Sequence, residues 1–246
     1  MATIVRGERR PFGPIVNDTS GPALTLSQVG GEGRSRWKML MNGMHLEGQW
    51  NCVEYVVLEP GGSVGEHVHM RTEEIYYIRS GRAVMTMDDE EFEVGPGDLI
   101  TTPIGASHAI ANPFADEEMH FFVVEVFPGE GPSAKPGRIH VPGLLEQTDG
   151  GPAAAQVDLT PYFTGGWKEF RLLDVPADGR VDEATPAGSS VVLHVLDGTA
   201  NIIVDGVVHH GGAGLSAAVP PGLAWSVVNR AAAPLRLLSV EVEVES

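Results

Sequence analysis

Apolar residues fall along this chain in short runs. Val53–Leu58, Ile75–Ile78, Ala83–Met87, Asp98–Thr101 and Phe121–Phe127 form one series. Val191–Leu196, Ala200–Val204, Leu215–Val219 and Leu235–Val244 form another. Both are rich in β-branched and aromatic residues, which favour strands. Gly, Pro, Asn and Asp recur between the runs, as tight turns require. No stretch sustains the period of an amphipathic helix. The pattern predicts an all-β protein in which helix is a minor component.

The two series divide the chain. Residues 1–30 read as an N-terminal arm, 31–127 as a first unit, 128–157 as a Pro/Gly/Ala/Ser-rich linker, and 158–246 as a second unit. The second unit repeats the first at a constant offset of 117. Gly81, Asp88, Gly97, Pro103, Gly105 and Asn112 map to Gly198, Asp205, Gly214, Pro220, Gly222 and Asn229. One offset serving six turn-type residues points to duplication of a structural unit. Two such units of short strands predict two β-barrels or sandwiches.

Composition narrows the function. A chain of 246 residues, 42% hydrophobic, can bury a substantial core. The net charge of −17 disfavours nucleic acid and anionic membranes as partners. Cys52 is the only cysteine, so no intramolecular disulfide can form. No apolar run is long enough for a membrane-spanning helix. The first residues lack the apolar centre of a signal peptide. The expected location is cytoplasmic.

The chemistry concentrates in the first unit. His67 and His69 are two residues apart, so on a strand both imidazoles face one side. Glu74 opens the next apolar run, and Glu73 beside it competes for the same role. His108 follows the turn at Pro103 and Gly105. Three imidazoles and a carboxylate suit one divalent Fe, Mn, Ni, Cu or Zn ion. Tyr76 shares strand parity with Glu74 and is a candidate to position substrate or donate a proton. Arg71, in the turn after His69, is a candidate to hold a substrate carboxylate. His45, Glu47, Gln49 and Glu54 flank the strand before the cluster and are candidates to orient the ligands. Every methionine lies within residues 1–119. This reads as core packing, with a roomy apolar pocket beside the metal as the sharper alternative.

The spacing resembles a known family. Gly61, five residues, His67-Val68-His69, four residues, Glu74, six residues, Gly81 is similar to the first signature of the cupin superfamily. Gly97, five residues, Pro103-Ile104-Gly105, two residues, His108, three residues, Asn112 is similar to the second. The resemblance implies two cupin (double-stranded β-helix, or jelly-roll) barrels in tandem, a bicupin. It assigns the metal ligands as His67, His69, Glu74 and His108. At the offset of 117 these map to Ala184, Pro186, Val191 and Trp225. The second barrel is therefore expected to keep the scaffold and lack the metal.

The family implies a metal-dependent enzyme acting on a small organic molecule. Oxygenase- or polyketide-cyclase-like chemistry in bacterial natural-product metabolism is the leading expectation, with an isomerase or decarboxylase as the alternative. The metal-free second barrel argues against oxalate decarboxylases, which usually keep metal in both. A non-catalytic metal-dependent binding protein is the reading from another class. A homodimer stays open, and a third, structural reading has the second barrel chiefly cover the first, through Val191–Leu196 and Leu235–Val244.

Overall fold

A computed structural model describes residues 15–132, 134–147 and 151–244. The first 14 residues of the arm, and residues 133 and 148–150 of the stretch read as a linker, lie outside the described residues. Twelve strands run in order through the first part of the chain: β1 Val16–Asn17, β2 Ala23–Leu26, β3 Arg34–Asn42, β4 Trp50–Leu58, β5 Ser63–Val68, β6 Glu73–Ser80, β7 Ala83–Met87, β8 Glu90–Val94, β9 Asp98–Thr102, β10 Ser107–Ala111, β11 Met119–Val126 and β12 Gly137–His140. Ten follow: β13 Glu146–Gln147, β14 Ala153–Asp158, β15 Trp167–Val175, β16 Arg180–Ala184, β17 Ser189–Asp197, β18 Thr199–Val204, β19 Val207–Gly212, β20 Ser216–Val219, β21 Ala224–Val228 and β22 Leu235–Glu243. The described residues form no α-helix, and so none long and apolar enough to cross a membrane.

Each barrel pairs a seven-stranded sheet with a four-stranded one. The first has β12-β9-β6-β11-β4-β3-β2 facing β5-β10-β7-β8. The second has β1-β20-β17-β22-β15-β14-β13 facing β16-β21-β18-β19. The arm crosses over: β1 pairs with β20 of the second barrel, while β2 pairs with β3 of the first. The stretch 128–157 also carries strands. Within it β12 extends the first large sheet beside β9, and β14 extends the second beside β15.

The duplicated turns explain the repeat. Gly81 and Gly198 have φ of 76° and 86°, and Asp88 and Asp205 have φ of 50° and 48°. These left-handed positions suit Gly, and Asp tolerates them better than most residues. The strands between them keep their register, and the offset survives.

The large sheets stack against each other. Val53, Tyr77 and Phe122 from one barrel join Phe170, Leu172 and Leu238 from the other in a single apolar cluster. These sheets are thus covered on both faces, by a barrel interior and by the partner barrel. That is why β17 is buried at eight of its nine positions and reads as a continuous apolar run. Each barrel has its own interior cluster as well. Met85, Met87 and Met119 lie in that of the first barrel, whereas Met44 and Met70 are exposed.

Candidate metal centre

The cluster forms where the two sheets of the first barrel face one another. β5 brings in His67, and His69 follows just beyond its end. Val68 between them points outward at 48% exposure, as strand alternation demands. His69 is pinned by its backbone, which donates to Ala106 O and accepts from Gly105 N. β10 places His108 directly across from His67. Glu74 comes from β6 in the opposite sheet, between Thr102 of β9 and Glu125 of β11.

Three imidazole nitrogens converge, with Glu74 set against two of them. The Nε2 atoms of His69 and His108 are 3.0 Å apart, and those of His108 and His67 are 3.2 Å apart. Glu74 Oε2 lies 3.1 Å from His108 Nε2 and 3.3 Å from His69 Nε2. The outer nitrogen of each ring is held. His67 Nδ1 is 2.9 Å from Gly65 O, His69 Nδ1 is 3.0 Å from Thr72 O, and His108 Nδ1 is 3.1 Å from Thr102 Oγ1. A carbonyl can only accept, so Nδ1 of His67 and His69 carries the hydrogen and Nε2 turns a lone pair inward. Glu74 Oε2 is buried with no hydrogen-bond donor. An arrangement of lone pairs with no hydrogen between them is held together best by a cation. The residues fit a divalent transition metal.

Electrostatics agree. Burial pushes the Glu74 carboxyl up to about 7, against the pull of His69. Burial and the neighbouring imidazoles hold His108 well below the usual histidine range. Burial also lowers His67. Burial works to lower His69 too, but its contact with Glu74 outweighs this and raises it. A site that disfavours the Glu74 carboxylate charge and keeps His67 and His108 neutral offers lone pairs and a carboxylate that a bound cation would engage.

The other sequence candidates separate. Glu73 points to the opposite face of β6 and is fully buried. Its Oε1 accepts from the backbone and hydroxyl of Thr164, and its Oε2 from Gly165 N and Trp167 Nε1. It clamps the second barrel and is directed away from the imidazoles. Tyr76 is buried with its ring 5.0 Å from that of His108, and burial together with the nearby Glu74 raises its hydroxyl well above the usual tyrosine range. Arg71 lies exposed in the bend before β6. Glu54 accepts from Trp37 Nε1 at 2.8 Å, and burial raises its carboxyl. Glu47 offers its carbonyl to Trp50 Nε1 and Ser190, away from the cluster. Two residues were not anticipated from sequence. Thr102 holds His108, and Glu125 sits beside Glu74 on β11 and accepts from Asn51 Nδ2 at 2.6 Å. Thr102 shares strand parity with Ile100 and precedes Pro103, a signal that could have placed it.

Comparison with known proteins follows the same lines. Residues 54–125 match the cupin domain family. A 46-residue segment is 52% identical to an uncharacterised protein of Methanocaldococcus jannaschii, covering 19% of this chain and 37% of that one. An oxalate-binding protein of Thermotoga maritima is 31% identical over 91 residues, which are 37% of this chain and 75% of the relative. The structure of oxalate decarboxylase from Bacillus subtilis at pH 4.6 superposes with a TM-score of 0.72 at 18% identity, over 95% of this chain and 79% of that one. Another structure of that enzyme, described for its Mn(II) centres, gives 0.71 at 19% identity, over 96% and 78%. Paired barrels, a three-histidine cluster and these relatives lead to one assignment: the chain belongs to the cupin superfamily, as a bicupin.

Proposed function

We propose that His67, His69, Glu74 and His108 hold one divalent transition metal per chain, and that the first barrel uses it to decarboxylate a small carboxylic acid of the oxalate type. One observation carries the metal reading: the donor-to-donor distances. Ligands about 2.1 Å from a metal are about 3.0 Å apart on the edges of an octahedron and about 3.4 Å apart in a tetrahedron. The four distances of 3.0–3.3 Å lie closer on average to the octahedral edge. Four protein donors would leave an octahedral ion room for a substrate, and the Mn(II) centres named for the similar decarboxylase favour manganese. The substrate class is supported by the names of the oxalate-binding and oxalate-decarboxylating relatives.

The bound ion would act as a Lewis acid on the substrate oxygens. The chain's own residues do the rest. Tyr76 packs its ring against His108 and holds that imidazole in place. Phe121, Met85 and Ile110 wall the interior and exclude water. Decarboxylation breaks a carbon–carbon bond, releases CO₂, and leaves a carbon that must take up a proton. Glu54, whose burial favours its protonated form, is the carboxyl assigned to hold that proton.

A second reading has a specific observation behind it. Around the cluster, the inward positions of β4, β6 and β11 carry Glu54, Glu74 and Glu125 and no lysine or arginine. This lining favours a neutral, enolisable substrate, and with it oxygenation or cyclisation. The test is direct. The chain reconstituted with Mn(II) or Fe(II) is given oxalate, and formate, CO₂ and dissolved oxygen are followed. Formate and CO₂ appearing without matching oxygen uptake, and absent in His108→Ala, is the expected result. Binding without turnover would leave a metal-dependent binding protein. Neither binding nor turnover would sink the oxalate assignment.

A further inference from the structure

The second barrel has lost its ligand set but has kept a cavity in the same place. The offset slips to 116 at β16: Glu183 pairs with Trp225 as His67 does with His108, and Thr185 repeats the backbone bonds of His69. Glu183, Thr185, Val191 and Trp225, and not Ala184 and Pro186, thus stand in place of the four metal-site residues, and all four line a cavity of about 220 Å³. That is far more than the ~10–15 Å³ that one water needs.

The lining is polar in a directed way. Glu169 and Arg171 come from β15, Glu183 from β16 and Glu241 from β22. Arg171 is spent on Glu183, donating Nη1 and Nη2 to its two oxygens at 2.8 Å each. Glu169 accepts from Gln156 and lies 3.9 Å from Arg171. Three carboxylates against one guanidinium leave a net charge of −2. Glu241 has no cation paired with it among the described residues. Thr185 supplies the independent sign of a ligand. It is 3% exposed and lines the cavity, yet its hydroxyl has no hydrogen-bond partner. A buried hydroxyl without a partner costs free energy that a bound molecule would return.

We infer that this cavity is a second ligand site, which takes a small organic ammonium compound carrying another polar group. Its N–H donors meet the Glu241 and Glu169 carboxylates, Thr185 engages its other end, and Trp225 provides an aromatic wall. A bare metal ion fits less well. Among the described residues, the group found to bring three ligand atoms within 4.8 Å of one another belongs to the first barrel, and none is found in this cavity. Separated carboxylates suit an extended organic cation, and the charge excludes an anion.

Isothermal titration of the full chain with ethanolamine and with putrescine tests the inference, using butyrate as the anionic control. Saturable binding of either amine near one per chain is expected, at least tenfold weaker in Glu241→Gln and in Thr185→Val, and unchanged in His108→Ala. Thr185→Val removes an unpartnered hydroxyl at nearly constant shape. It should be at least as thermostable as the parent without ligand, so that weakened binding cannot be ascribed to misfolding. In nuclear magnetic resonance, ligand methylenes should show contacts to the Trp225 ring. Absence of saturable binding by both amines overturns the inference. So does binding that both substitutions leave intact, binding that His108→Ala abolishes, or tighter binding of butyrate.

Discussion

Two main-chain carbonyls and one threonine hydroxyl decide which nitrogen of each imidazole faces the metal site. Gly65 O and Thr72 O fix His67 and His69, and no substitution can delete them. Thr102 is the one such partner that a side-chain change removes. Thr102→Val should weaken metal affinity by about 10–100-fold with the fold intact, as read by competition with a chelator. A second residue governs acid stability. His194 is buried against Phe122 and Tyr55, donates or accepts through Nδ1 with Ser216 Oγ, and leaves Nε2 unpartnered. Burial, with Arg79 adding to it, lowers its pKa to about 3. Between about 6.5 and 3 the unfolded imidazole binds a proton that the folded one refuses. Stability therefore falls as pH drops through that window, by up to about 1.4 kcal/mol per pH unit, and does not depend on this group above it. Urea midpoints measured from pH 7 to 4 should fall less steeply in His194→Gln. At this scale the sequence was legible where spacing carries meaning: His67, His69, Glu74 and His108 stand at fixed distances from turn glycines. It was silent where only facing strands meet, as for Glu125 and Thr102.

Strand β6 does two jobs on its two faces. Glu74 faces the imidazoles, and Glu73 takes four hydrogen bonds from the second barrel. Alternation makes this unavoidable, because adjacent residues of a strand cannot share a face. Register decides which of the two faces the imidazoles, and it places Glu74 opposite Thr102 and Glu125. Substituting each separates the roles. Glu73→Ala strands buried N–H donors and should cost about 3 kcal/mol or more in urea unfolding while metal content stays at the parent level. Glu74→Gln should do the reverse, with metal lost on dialysis and stability of the metal-free chain little changed. The strands of the stretch 128–157 were not legible from sequence. β12, four residues at the edge of its sheet, and β14, six residues between β15 and β13, are set in Gly- and Pro-rich sequence and defined by the sheets that accept them. The arm posed the same problem, since the two-residue β1 exists only because β20 offers an edge.

At the scale of the whole molecule, duplication divides labour. The first barrel keeps the histidines and the second contributes a face. Their large sheets share one apolar cluster running from Val53 to Leu238, and Arg79 Nε reaches across to Leu196 O at 3.0 Å. A fragment ending at residue 130 would leave the outer face of β4, β6 and β11 in water. It should aggregate or dimerise, as size-exclusion chromatography with light scattering would show. A soluble monomeric fragment would mean that the second barrel is dispensable as a cover. The repeat was readable because turn chemistry outlasts changes in side chains between the turns. The face-to-face stacking was harder to place, because an apolar run buried on both sides looks alike whatever covers it.

The adjacency of Glu73 and Glu74 has one more consequence. A single peptide unit joins the clamp on the second barrel to the fourth donor at the first barrel's centre, so the two events are thermodynamically linked, and linkage has no direction. Whatever free energy docking contributes by steadying that unit is returned as metal affinity. Chelation then weakens the seam between the barrels by the same amount that opening the seam weakens the hold on the ion.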